Sequence, residues 1–429
     1  MIGPLLERAG RLASQADAAL KRDETTTLTF RDGRLQVAAT SYSWGVNLRV
    51  VVDGRLGVAG TSSEDIAPLL DAALSSARVG EAVTLSLPRQ GIAPRVLTLS
   101  PRAAAATLAD LTALGTMVRD RLAGTGAQLA IEIERSLGSV RVGNSLGLDA
   151  GYDVTLFSLA VEAWHLRNGR RVTVRDRRAG SDLPDLPEIE RLVASVRQRL
   201  AWCDREAEAP VGRMRVAFMP AAVPLLLQPV EQALVGKTAV EGGIPFGGPR
   251  RGRVFSESIT LLDDPLAPGR PASRPVDDEG VVSRPVTLVQ AGTIESLIYD
   301  LETACRVGAT PTGHGRRSTF AKPQPAFSNL VLEPGTASWE ELLAAVGDGL
   351  LLDAVGGTWD GNVIGGAFSR PAELAWRVSG GEVQGLVAEV TVAGNANDLL
   401  GRVVAQGKDA AWVGSRSAPT VVVDGVSVF

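Results

Sequence analysis

The chain has 429 residues, 45% apolar and 21% charged, which is long for a single core and points to two domains. Its 44 basic and 48 acidic residues leave a net charge of −4, too mild to imply an acidic partner and without the basic excess of a general nucleic-acid binder. Two distant cysteines, Cys203 and Cys305, exclude a disulfide framework, and no apolar run reaches the ~20 residues that span a bilayer; the expectation is a soluble, cytoplasmic protein.

In chain order, "MIGPLLERAGRLASQADAAL" places Leu5, Leu6, Ala9, Leu12, Ala13, Ala16 and Leu20 at helical spacing, predicting one amphipathic helix. "TTTLTFRDGRLQVAATS" and "WGVNLRVVVDGRLGVAGTS" each read as strand, Asp-Gly turn, strand, because the turn needs positive φ at its centre. A helix follows in "SEDIAPLLDAALSSARVG", with Ser63 or Asp65 as cap, and another in "AAAATLADLTALGTMVRDRLA". Alternating strands then run through "QLAIEIERSLGSVRVGNSLGLDAGYDVTLFSLAVEAW". A proline-punctuated loop and a helix in "GSDLPDLPEIERLVASVRQRLAW" and the polar connector "CDREAEAPVGR" close this half. Beyond "MRVAFMP", a strand, the second half is mostly short β runs, with one clear helix, "SWEELLAAVGDGL", opened by a Ser338/Glu341 capping box. The string "VVVDG" occurs at 50–54 and at 421–425 and is read as the same hairpin used twice. The predicted class is α+β in two domains: 1–205 with an antiparallel sheet and helices, and 206–429 mostly β.

Several motifs suggest chemistry. "GNSLG" at 143–147 has the spacing of a nucleophile elbow, but a strand follows the turn where the motif needs a helix, so Ser145 is assigned to a hairpin. "GKT" at 236–238 lacks the upstream glycine of a phosphate loop, since Glu231 stands there. His165, His314, Cys203 and Cys305 are too scattered in sequence to suggest a zinc site. The acidic runs "LLDDP" (Asp263, Asp264) and "VDDEG" (Asp277, Asp278, Glu279) could hold a hard cation, and are read in preference as turns beside Pro and Gly. Cys305, in "LETACRV", is expected in the core.

The segments "GVNLRVVVDGRLGVAGTS", "VGNSLG", "ITLLDDP", "DDEGVVSRPVTLVQAGTIESLIYDLETA", "TGHGRRS", "GGTWDGNVIGGAFSRPAELAWRVSGGEVQ", "VAGNANDLL" and "APTVVVDGVSV", in this order, resemble the TldD/PmbA family, long labelled modulator of DNA gyrase. The resemblance covers almost the whole chain. It implies one of two subunit kinds, TldD or TldE (PmbA), which pair as a heterodimeric zinc metallopeptidase for unfolded or flexible peptides. In TldD the metal is held by a helical H-E-x-x-x-H sequence and a cysteine near the C-terminus. A zinc-polarised water attacks and the motif glutamate acts as base.

Laid on "LLLQPVEQALVG", the first histidine falls on Gln228, the glutamate on Pro229 and the second histidine on Ala233, while the cysteine falls near Gln406. These residues offer neither a zinc ligand set nor a base, and Glu231 is one carboxylate alone. A proline is tolerated in a helix's first turn, so a helix starting at or near Gln228 is still expected. The resemblance therefore implies a TldE-like chain with no catalytic residue, metal or cofactor of its own. Zinc would lie in a TldD-type partner, with unfolded peptides as substrates and a homodimer as a possible state when alone. The alternative is a stand-alone homodimeric peptide-binding protein. The glycine-rich runs "GGIPFGGPRRG" and "GGTWDGNVIGGAFS" are candidate substrate or partner surface, or plain loops.

Overall fold

The computed structural model describes residues 2–31, 33–167, 169–243, 246, 248–357 and 362–429. The first helix, α1 (Ile2–Leu12), buries Ile2, Leu5, Leu6 and Ala9. It ends at Leu12, short of the Leu20 that periodicity suggested, and β1 (Gln15–Arg31) takes over. The misreading has a simple origin. Ala16 and Leu20 are four apart, a spacing that fits a strand face as well as a helix face, and strand pairing on both sides decides the matter. Ala16, Ala18 and Leu20 alternate along β1 to meet α1 in one cluster.

β2 (Arg34–Val52) and β3 (Arg55–Thr61) follow, then β4 (Gln128–Asn144), β5 (Asp149–Arg167) and β6 (Arg170–Gly180). They form one antiparallel sheet in the order β3-β2-β1-β4-β5-β6. The β2–β3 turn has Asp53 at φ 49° and Gly54 at φ 71°, the double positive φ that an Asp-Gly pair supplies. α2 (Leu69–Ala77) starts later than expected. Asp65 accepts instead from the Ala67 N–H (2.9 Å) in a turn of its own, and Pro68 sits at the helix entry. The next predicted helix is two, α3 (Pro101–Ala105) and α4 (Leu108–Leu122), because Thr107 and Asp110 close a capping box that starts a new helix. α5 (Leu186–Trp202) opens with a second capping box, Asp185/Glu188.

β7 (Gly212–Phe218) leads into α6 (Pro224–Ala233). β7 pairs in parallel with Gly349–Val355 and antiparallel with Val421–Val428. The sheet continues through Thr391–Asn395 and Ala367–Ser379 to Glu382–Leu386. Since Gly349–Val355 also pairs with Ala367–Ser379, five of these strands close into a barrel. A further sheet runs from Thr293–Ile294 through Val286–Gln290, Leu261–Asp263, Leu330–Leu332 and Arg416–Ala418 to Ala411–Val413. The helix Trp339–Val346 begins with the predicted Ser338/Glu341 box. The second "VVVDG" is not a hairpin: Asp424 and Gly425 lie inside the strand Val421–Val428, where the register shifts between Val423 and Val426 and Gly425 takes φ 87°. The same dipeptide supplies a bulge here because pairing continues on both sides of it.

The class is α+β with a β-rich second half, as read from the sequence. α4 and α5 pack on Leu28, Phe30, Ile131, Ile133 and Leu159, and the same apolar cluster takes in Leu351, Trp376 and Val422 from the barrel. α6 lies in a second cluster, between barrel residues such as Val216, Leu350 and Val421 and residues of the other sheet such as Leu288 and Leu330. Among the described residues no helix is long and apolar enough to cross a membrane.

Candidate functional site

α6 begins a turn earlier than the sequence reading placed it. Pro224 occupies its first turn, where a missing N–H costs nothing, and Leu225, Leu226 and Leu227 are buried. Pro229 is therefore inside the helix and not at its start, so one backbone hydrogen bond is absent from the middle of a buried helix. Gln228 is half-buried, and Pro229 and Ala233 are buried. Glu231 is buried as well, and both its oxygens accept from Arg416, at 2.8 and 2.6 Å. Arg416 comes from the strand Arg416–Ala418, so this ion pair ties α6 to the neighbouring sheet.

Gln406 ends the strand Val403–Gln406 and is buried. Its amide nitrogen donates to the Glu333 carbonyl, while its amide oxygen is buried without a hydrogen-bond partner. The structure thus puts Gln228, Pro229 and Ala233 on one helix and Gln406 on a separate strand, with no hydrogen bond between Gln228 and Gln406. Pro229 and Ala233 have no donor atom in their side chains, the Glu231 carboxylate is neutralised by Arg416, and Gln406 offers only a neutral amide oxygen, its nitrogen being spent on backbone. This donor set does not fit a zinc ion, which takes thiolate, imidazole or carboxylate ligands. Among the described residues no three His, Cys, Asp or Glu side chains gather as a metal site.

A cleft of about 520 Å³ opens at the foot of α6. One wall is the N-terminal sheet, with Glu132, Glu162, Arg175 and Arg177; the other is Met219–Ala221, just before the helix, and Trp412. Its floor is braced by Arg199 of α5, which donates to Asp353 (2.9 Å) and Asp176 (2.6 Å) and is itself buried.

The acidic loops do more than turn the chain. Asp277 does make a turn, its Oδ1 accepting from the Glu279 and Val281 N–H groups (2.9 Å each), but Asp277, Asp278 and Glu279 are fully buried. They meet charges from the N-terminal sheet. Arg49 of β2 grips Asp17 of β1 through two hydrogen bonds of 2.8 Å and reaches Glu279 at 2.7 Å. Arg317 joins the same Asp17 carboxylate and also donates to Asn47 (3.2 Å). Lys21 donates to Asp278 (2.6 Å) and to the Arg317 carbonyl (2.9 Å). Nearby, Asp263 accepts from the Ser328 N–H (2.7 Å) and lies 2.7 Å from His314 Nε2, with His314 wholly buried. This cluster clamps the N-terminal sheet onto the loops at 277–281 and 315–321.

Burial would raise Asp17, but Arg317 and Arg49 outweigh it and hold the carboxyl below its ordinary value. Burial likewise opposes Arg316 and Lys21 at Asp278, and the cations win. At Glu279 burial wins over Arg49, with Asp277 and Asp300 adding repulsion, and the group is pushed up to about 8. Asp277 is raised by burial in spite of three backbone N–H donors. The sequence did carry a signal for this cluster, in the single arginine within the apolar run "GVNLRVVV" and the single aspartate in "QADAAL". Each is a charge at an inward-facing strand position, which demands a partner.

The remaining candidates are structural. Ser145 sits in the β4–β5 turn and its Oγ accepts from the Ala16 N–H at 3.1 Å. His165 lies near the end of β5. Cys203 is buried, but Cys305 is exposed, contrary to expectation: the helix Leu301–Val307 buries Leu301, Glu302, Thr303 and Ala304 and turns Cys305 outward. Residues 244, 245, 247 and 358–361 of the two glycine-rich runs lie outside the described residues; Arg250, in the first run, is exposed.

Residues 211–429 match the family described as PmbA/TldA metallopeptidase C-terminal domain, and residues 16–77 match PmbA/TldA metallopeptidase domain 1. A metalloprotease of Methanocaldococcus jannaschii is 23% identical over 421 residues, 94% of this chain and 92% of that protein. A metalloprotease of Methanothermobacter thermautotrophicus is 27% identical over 232 residues; that match takes in 54% of this chain and 50% of the relative's length. The solved structure of TldE from Thermococcus kodakarensis has the same fold, with a TM-score of 0.89 at 22% identity, covering 100% of this chain and 99% of that one.

Proposed function

The chain belongs to the TldD/PmbA family of metallopeptidases, and from that premise we propose that it is a non-catalytic, TldE-like subunit. It would pair with a TldD-type subunit that carries the zinc and the general base, and the pair would cleave unfolded or flexible peptides. The observation that carries this reading is α6. The helix is kept as a core element, yet the three positions matched to the metal motif are Gln228, Pro229 and Ala233, and Glu231, the carboxylate beside them, is held by Arg416. Gln406, near the place of the family's cysteine, holds a backbone carbonyl. This chain's part would be to complete the substrate chamber, with the cleft at the foot of α6 as its share of the wall.

The test is metal content and cleavage of an unfolded protein substrate, for the purified chain alone and after equimolar mixing with a TldD-type subunit of the same organism. The reading expects no zinc and no cleavage alone, and cleavage by the mixed complex. Stoichiometric zinc or cleavage by the chain alone would overturn it. Peptide binding without cleavage, alone and in the mixture, would favour the stand-alone binding protein.

A further inference from the structure

Beside the cleft at the foot of α6 a second one, of about 620 Å³, opens between the end of β6 and the loops at 268–270 and 409–412. The two share Arg178, Asp409, Ala411 and Trp412 as a common wall and so form one groove. Trp412 is fixed there by the pairing of Ala411–Val413 with Arg416–Ala418. Arg270 lies over its ring, with the guanidinium carbon 4.6 Å from the centroid. Gly269, at φ 69°, brings the chain to this point; its N–H donates to the Leu97 carbonyl (3.2 Å) and its carbonyl accepts from the Ser181 N–H (2.9 Å).

The Arg270 guanidinium is half-buried and stacked, yet among the described residues it makes no hydrogen bond and no ion pair. A forked set of N–H donors partly withdrawn from water normally has an acceptor. Across the cleft Ser181 is buried and its hydroxyl also lacks a partner. That hydroxyl lies 3.4 Å from where a Cβ on Gly269 would stand, next to Arg270 in the chain. The acids around the cleft are spent elsewhere. Asp182 accepts from the Ser100 hydroxyl (2.7 Å) and the Leu183 N–H (2.8 Å), and Asp185 and Glu188 close the α5 capping box. Asp409 accepts from the Thr420 N–H (3.0 Å) and hydroxyl (2.6 Å). Glu188 acts on Arg270 as a charge alone.

We propose that this cleft is a carboxylate subsite, in which the Arg270 fork and the Ser181 hydroxyl donate to one acidic group of an extended peptide. That group is an Asp or Glu side chain or the terminal carboxylate, and the peptide runs on past Trp412 into the cleft at the foot of α6. Stacking on the indole holds the guanidinium plane and leaves its donor edge to the ligand, an arrangement that matches a planar two-oxygen acceptor. A phosphate, with nearly double the charge, is repelled more strongly by the four acids around the cleft. The subsite rests on the peptide substrate of the proposed pairing and adds which peptides this chain prefers.

The test is fluorescence anisotropy of short, unstructured, labelled peptides titrated with the full chain. One peptide is neutral with an amidated end, one is the same with a free terminal carboxylate, and one is amidated with a single internal aspartate. At least one of the acidic peptides binds about tenfold more tightly than the neutral one, and which of them does so identifies the source of the carboxylate. Arg270→Met keeps an apolar stem on Trp412 and abolishes that preference. It leaves the neutral peptide's affinity and the melting curve unchanged, because the Arg270 side chain holds no hydrogen bond in the fold. Ser181→Ala removes a hydroxyl without a partner, so the fold is kept and the acidic peptide alone binds more weakly. Equal binding of all the peptides by the unmodified chain, a preference that survives Arg270→Met, or no binding of any peptide would each overturn the subsite. Zinc content and cleavage in the mixed complex decide the subunit reading separately.

Discussion

Replacing Arg49 by methionine tests the buried clamp most directly. The guanidinium makes two hydrogen bonds to Asp17 and one ion pair to Glu279, and it is fully buried. Methionine fills much of the same volume, so packing loss is small. Asp17 keeps Arg317 as a counter-ion. Glu279 loses its ion pair: its other oxygen retains the Leu301 N–H, at 2.8 Å, and Arg317 acts on it only as a further charge without a hydrogen bond. One carboxylate is thus left buried without its ion-pair partner, a condition that costs about 3–5 kcal/mol when a buried pair is broken. The escape is protonation of Glu279, already favoured by burial, so the loss should shrink in acid. Urea unfolding followed by circular dichroism at about pH 8.5 and about pH 5.5 reads both effects, with a larger loss at the higher pH. The double variant Arg49→Met/Glu279→Gln should recover most of it. A loss below about 1 kcal/mol at the higher pH, or equal losses at both, would refute the argument.

Three further outcomes are expected. Glu279 is raised above its ordinary 4.5 to about 8, so between those values the folded chain holds a proton that the unfolded chain has released. Its contribution to stability therefore falls with rising pH, by at most about 1.4 kcal/mol per pH unit; Glu279→Gln should flatten that part of the melting-temperature profile, and an unchanged slope counts against it. Pro229→Ala restores a backbone donor inside α6 and should raise the urea midpoint by the equivalent of about 1 kcal/mol; a fall would mean that ring packing outweighs the helix bond. Arg416→Met leaves Glu231 buried and unpaired, but Arg416 is 41% exposed, so solvent screening limits the loss to about 1–2 kcal/mol by the same titration.

The sequence was most legible where one local rule decides the structure. Asp53-Gly54, the Ser338/Glu341 box and the turn at Asn144–Leu148 all follow from backbone chemistry within a few residues. It was least legible where tertiary pairing chooses between two locally acceptable states. Residues 13–20 satisfy a helix pattern but have strands waiting on both sides. Asp424-Gly425 satisfies a turn pattern but lies in a strand paired past it. At the candidate site, sequence supplied the residue identities on α6 but not the start of the helix, because Pro229 suggested the first turn of a helix that Pro224 and three buried leucines had already begun. The partners of Glu231 and of the acidic loops were invisible for another reason. Arg416 is 185 residues from Glu231 and Arg317 is 300 from Asp17, separations at which no spacing rule operates.

The inner end of β2 carries the contacts that join the two halves of the chain. At Asn47 and Arg49 the strand is fixed to the loops at 279 and 317–321 by buried ion pairs and by the Asn47 amide donating to the Thr319 (2.9 Å) and Ala321 (3.2 Å) carbonyls. That anchoring orients the sheet on the second half of the chain, because such a pair is satisfied in one geometry only. α6 follows the same logic inward. Its apolar face knits two sheets together, so packing alone accounts for the helix that carries Gln228, Pro229 and Ala233.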